Sequence, residues 1–171
     1  MTAALAIFEK HRNTVLIDLA LLAALYFLPA LSHVTALPLY MLEPMRVALI
    51  IALLFTNRAN AYFIAFTIPL ASALITGHPP PFKALMMGIE FSILVACYGY
   101  LVKMIRIPAF AALTAAILVS KLAYYTMKFA ALNTGILSGS LVSTPLQTQL
   151  LLAVSTAAVF GLIEFYHPKN T

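Results

Sequence analysis

Charge is scarce in this chain. Of its 171 residues, 9% are Asp, Glu, Lys or Arg, whereas 63% are hydrophobic and the mean hydropathy is +1.00. A soluble domain needs a charged shell, so this balance excludes one. Apolar runs of about 20 residues instead match the span of a ~30 Å hydrocarbon core. There is one cysteine, Cys97, inside an apolar run. No internal disulfide is therefore possible, and the thiol reads as inert and structural. The six glycines never fall in the G-x-x-x-x-G-K spacing that cradles nucleotide phosphates. No H-E-x-x-H occurs, and no serine has a histidine at comparable depth on a facing helix, so intramembrane hydrolysis lacks its chemistry and no enzyme is expected. His33 and His78 lack metal-ligand partners at useful spacing, and no cofactor or structural metal is expected. No repeat stands out, and no inverted halves carry matching broken helices, which disfavours a stand-alone carrier.

What is present is an alternation of apolar runs and short polar breaks. The formal charge of +5 would suggest nucleic acid in a soluble protein. Here the basic residues stand singly between apolar runs and read as topology signals, so no nucleic-acid partner is expected. The basic stretch before the first run resembles a secretory signal, but that run exceeds a signal core and further spans follow, so an uncleaved first span is expected. The fold class is an all-α integral membrane protein, a bundle of six transmembrane helices forming one domain over 1–171. The spans fall near 14–31, 44–55, 59–76, 84–102, 108–127 and 145–166.

Local signals mark the ends. Pro44 suits the first turn of the second helix. Pro69 should kink the third unless a neighbour satisfies the freed carbonyl. Three prolines in GHPPPFK, residues 77–83, end it. A Gly-, Ser-, Thr- and Asn-rich loop is expected from Lys128 to Thr144. Thr144, Pro145 and Gln147 read as a capping box opening the last span. With the N-terminus inside, Lys10, Arg12, Arg58, Lys103, Arg106 and Lys169 are cytoplasmic against Lys83 and Lys128 outside, which makes both termini cytoplasmic.

Five ionisable residues fall at membrane depth: Asp18, Arg46, Glu90, Lys121 and Glu164. At about 1.5 Å per residue, Glu90 lies roughly 9 Å below the outer end of the fourth helix and Lys121 about 20 Å up the fifth from its cytoplasmic end. Arg46 opens the second helix at that same outer end. Such charges cost a few kcal/mol unless they face the bundle interior, water or one another. The three can therefore meet in one chamber, with Tyr124 and Tyr125 beside Lys121, and two cations against one carboxylate favour an anionic group. The alternative is structural: Glu90 and Lys121 form a salt bridge that locks the helices, and Arg46 snorkels to the interface. Asp18 and Glu164, near cytoplasmic helix ends, are expected to pair with Arg58, Lys103 or Arg106.

The run of second helix, third helix, Pro-rich outer loop and carboxylate-bearing fourth helix, EPMRVALIIALLFTNRANAYFIAFTIPLASALITGHPPPFKALMMGIEFSILVACYGYLVK, resembles the substrate-binding S components of energy-coupling factor (ECF) vitamin transporters. The resemblance extends over most of the chain and rests on the order of these features rather than on any one motif. Ala20 and Ala24 match the family's A-x-x-x-A pair on the first helix, where small side chains allow close helix approach in lipid. The resemblance implies a bacterial or archaeal cell membrane and capture of a small vitamin-like nutrient from outside. It implies Arg46, Glu90 and Lys121 as anchors, Tyr124 and Tyr125 as wall, and His78, Pro79 and Phe82 in a gating loop. It also implies a T component and two ATPase subunits as partners. The Met-His opening of nickel and cobalt S components is absent, which argues against a metal substrate, and no signature assigns a particular vitamin.

Overall fold

The computed structural model describes residues 2–35, 42–142 and 144–166, with side chains over 12–27, 34–35, 42–142 and 144–166. Among the described residues six helices make up the bundle: α1 (Thr2–Thr35), α2 (Pro44–Phe55), α3 (Arg58–Thr76), α4 (Pro81–Tyr100), α5 (Ala109–Asn133) and α6 (Leu146–Tyr166). Among the described residues four helices, α3 to α6, are long and apolar enough to cross a membrane, and α2 is a shorter apolar one. These are the proportions of a multi-pass membrane protein. Outward residues agree: Leu74, Leu122, Leu151 and Phe165 are more than two-thirds exposed, which suits contact with lipid.

Helix ends follow local chemistry. The Asn57 side chain caps α3 by accepting the Asn60 N–H at 2.9 Å. Gly77, at φ 69°, takes the left-handed turn that ends α3. The last of the three prolines, Pro81, then starts α4, where a missing N–H is harmless. Past Tyr100, α4 widens into a π-helical turn, Leu101–Ile105, and stops at Arg106, whose φ of 59° redirects the chain before Pro108.

Several boundaries differ from the sequence reading. The backbone of α1 runs on through His33 to Thr35, while Pro38 lies outside the described residues. α5 continues past Lys128 to Asn133, so Lys128 is a buried helical residue rather than the start of a loop. Its neighbours Phe129, Ala130, Ala131 and Leu132 prolong the apolar helix until Gly135 breaks it. α6 begins after Pro145, its first backbone bond running from the Gln149 N–H to the Pro145 carbonyl at 3.1 Å. That start is one residue too late for the Thr144/Gln147 capping box.

The core is built largely of small residues. Ala52, Ala61, Ala65, Ala112, Ala116 and Ala157 are fully enclosed among Leu49, Ile64, Leu94, Leu113 and Ile117. Lipid supplies no hydrophobic drive between helices, so close backbone approach and dispersion must hold them together. Gly88 is one such approach: a Cβ there would sit 3.1 Å from the Phe66 ring and 3.7 Å from the Ala65 carbonyl, the group that Pro69 leaves without an N–H partner. α3 packs on α4, α4 on α5 and α5 on α6, while α2 closes against α3 and α6. The start of α2, the α3–α4 connection and the start of α6 meet at one end of the bundle, where their residues line one space.

Candidate functional site

At that end lies a cavity of about 370 Å³. Its floor comes from four helices. Arg46 projects from the first turn of α2 and Glu90 from the middle of α4. Lys121, Tyr124 and Tyr125 share one face of α5 at three- and four-residue spacing, and Gln149 descends from the first turn of α6. His78 and Pro79 close one side from the α3–α4 connection. All six residues that the sequence grouped, Arg46, His78, Glu90, Lys121, Tyr124 and Tyr125, line this single space.

Their pairing differs from the reading in sequence. Arg46 reaches inward, 6% exposed, instead of snorkelling, and binds Glu90 with one terminal nitrogen and Glu43 with the other. Lys121 pairs with Glu43, not with Glu90, and donates to Gln149 Oε1 at 2.7 Å. The result is a chain of four charges, Lys121–Glu43–Arg46–Glu90, in which each carboxylate meets a cation. Buried charges persist in a bundle only under such pairing. Arg46 also lies over the Phe91 ring, 5.9 Å from its centroid, where the ring's negative face adds attraction.

Gln149 extends the network. Its Oε1 accepts from the Tyr125 hydroxyl at 2.9 Å and its Nε2 donates to the Thr144 carbonyl at 2.7 Å, tying α5 to the start of α6. Tyr124 packs edge-on against Tyr125, with ring centroids 5.7 Å apart. Met45, Met87 and Phe91 complete an apolar wall, so a few polar groups converge in a mostly apolar space, the usual make-up of a small-molecule site.

Glu43, Lys83 and Gln149 were not foreseen as lining residues. Glu43 had one available signal, its place three residues before Arg46; it stands at the N-cap of α2 with a left-handed backbone (φ 50°, ψ 52°). Gln149 had another, being an amide within an otherwise apolar face of α6. Lys83 lies in the first turn of α4, seven residues before Glu90 and hence on nearly the same face.

At the opposite end Asp18 and Glu164, the other acids with described side chains, also choose different partners. Asp18 accepts from the Asn60 amide at 2.9 Å and Glu164 from the Tyr98 hydroxyl at 2.9 Å. Arg58 instead donates to the Gly99 carbonyl at 2.9 Å. Neither acid forms a salt bridge among the described residues. Ala20 and Ala24 are exposed on α1. Among the described residues no group of three His, Cys, Asp or Glu could hold a metal ion.

Comparison with family models, with curated proteins and with solved structures finds no match to this chain.

Proposed function

We propose that this chain is the substrate-binding membrane subunit of an ATP-driven importer of the ECF type, capturing a small, vitamin-like, anionic or zwitterionic nutrient. One observation carries the reading: six residues from separate parts of the sequence line a single cavity at one end of a membrane bundle. Its volume of about 370 Å³ lies within the ~300–1,000 Å³ of small-molecule sites. The cavity end carries Lys83 and Lys128, and the other end carries Arg58, Lys103 and Arg106. By the excess of basic residues on cytoplasmic loops, the cavity opens outward. The site binds and does no chemistry. The exposed Ala20/Ala24 face offers close approach to a T component, which two ATPase subunits would drive.

The test is thermal unfolding of the detergent-purified protein against a panel of vitamins and precursors. A ligand bound by the native state alone raises the apparent Tm with concentration, by RT ln(1 + [L]/Kd) in free energy. No response to any compound overturns the reading. Ala20→Leu with Ala24→Leu should abolish recovery of the partner subunits while leaving ligand binding intact. Loss of both would refute the division of labour.

A second reading is supported by the closed pairing of Arg46, Glu43, Glu90 and Lys121: the network is a lock that holds α2, α4, α5 and α6 in register. Under it, variants that break the network lose stability, and no ligand raises the Tm.

A further inference from the structure

The four members of the charge network are not equally fixed. The side chains of Arg46, Glu90 and Lys121 stand on helices and are 8%, 4% and 13% exposed, whereas that of Glu43, in the turn before α2, is 23% exposed. The Glu43 backbone is anchored: its carbonyl accepts from the Arg46 N–H at 2.9 Å and the Val47 N–H at 3.2 Å. Its side chain makes no capping bond, and among the described residues only the ion pairs to Arg46 and Lys121 hold the carboxylate. The left-handed backbone of Glu43 (φ 50°) is unfavourable for any residue with a Cβ, a kind of strain that gathers at ligand clamps and switches.

The other acceptors at the floor are committed. Gln149 Oε1 accepts from Lys121 and Tyr125, and its Nε2 donates to the Tyr125 hydroxyl and the Thr144 carbonyl. Glu90 projects from the middle of α4 and is the least exposed of the four. Glu43 is therefore the one partner that side-chain rotation can remove without disturbing a helix. Its carboxylate bridges a cation from α2 and a cation from α5, in a cavity also lined by Met87, Phe91 and Tyr124. A charge-assisted seat beside an apolar wall is how a pocket holds a small carboxylic acid. Exchange of one carboxylate for another conserves charge, so neither cation is stranded in the bundle.

From this arrangement we infer that the seat between Arg46 and Lys121 takes the carboxylate of the solute, that Glu43 occupies it as a built-in surrogate, and that capture displaces the Glu43 side chain. This rests on the capture reading and narrows it to solutes with a carboxylate and an apolar body. A tethered carboxylate competes at an effective concentration of about millimolar or more. Glu43 thus sets a threshold, which a solute passes through further contacts with the wall.

The probes are propionate and 3-phenylpropionate, matched with propionamide and 3-phenylpropionamide. Each is titrated at constant ionic strength into the parent and into Glu43→Gln while the Tm is followed in detergent. The acids should raise the Tm of the parent and the amides should not. Glu43→Gln should respond to the acids at a concentration at least about tenfold lower, because a competing charge-assisted bond is gone. This is a gain, opposite in sign to the loss expected of a residue that merely contacts solute or supports the fold. Glu43→Asp, which keeps the charge on a shorter arm, should fall between the two and carries the same test where the amide variant does not fold. Glu43→Gln with Lys121→Gln leaves Arg46 against Glu90, a neutral floor, and should lose the gain. A variant that responds no better than the parent overturns the inference. So does a response confined to the variant, which would make Glu43 a fixed partner, and so does an equal response to acids and amides. Each of these leaves capture standing, since capture is judged separately by the parent's response to the vitamin panel.

Discussion

Arg46→Met should be among the costliest single substitutions in the bundle. The side chains of Arg46 and Glu90 are 8% and 4% exposed, which removes their pair from the class of surface ion pairs worth ~0.2–1 kcal/mol. Breaking a buried pair by deleting one partner costs ~3–5 kcal/mol, because the other charge is left without compensation. The penalty falls on Glu90, since Glu43 keeps Lys121 as a partner. At ~2–4 °C per kcal/mol for a chain of this size, the Tm should fall by roughly 6–20 °C. Glu90→Gln should cost less, because Arg46 then retains Glu43. The double variant Arg46→Met/Glu90→Gln removes the stranded charge and should be more stable than Arg46→Met alone. Thermal unfolding of the four proteins in one detergent at pH 7 measures the cycle, and moderate salt should leave it unchanged because buried charges are poorly screened. Additive losses in the double variant, or an Arg46→Met protein within about 1 kcal/mol of the parent, would refute the assigned pairing.

Two further tests concern the opposite end of the bundle. Tyr98→Phe removes the hydroxyl that donates to Glu164 and should cost about 1–3 kcal/mol, read as a lower Tm; an unchanged Tm would show that the bond is dispensable. Gly161→Ala should destabilise more than Gly99→Ala. At Gly161 a new Cβ would lie 2.9 Å from Phe110 Cβ and 3.4 Å from its backbone, whereas at Gly99 it would meet the movable end of the Arg58 side chain at 2.7 Å. Overpacking of the first kind costs ~1–3 kcal/mol, and the opposite ranking would overturn the packing described for α5 and α6.

Much of the architecture was legible because hydropathy, helical period and proline chemistry are local. Pro44 and the GHPPPFK break set their helix ends through φ restriction and a missing N–H, wherever the rest of the chain lies. The α5 boundary was misread for a related reason. Lys128 looked like the start of a loop because it ends an apolar run and polar residues follow, yet Phe129, Ala130, Ala131 and Leu132 carry the helix on to Asn133.

The sequence by itself determined that a few charges are trapped inside an apolar bundle, since burial of Arg46, Glu90 and Lys121 follows from the length of the runs around them. Tertiary structure alone decided which charge meets which. Glu43, from a turn outside the helices, inserts between Arg46 and Lys121, takes the place expected of Glu90 and brings the network to neutrality. Partner choice depends on Ångström-scale distances between groups up to 78 residues apart along the chain, and no periodicity encodes those distances.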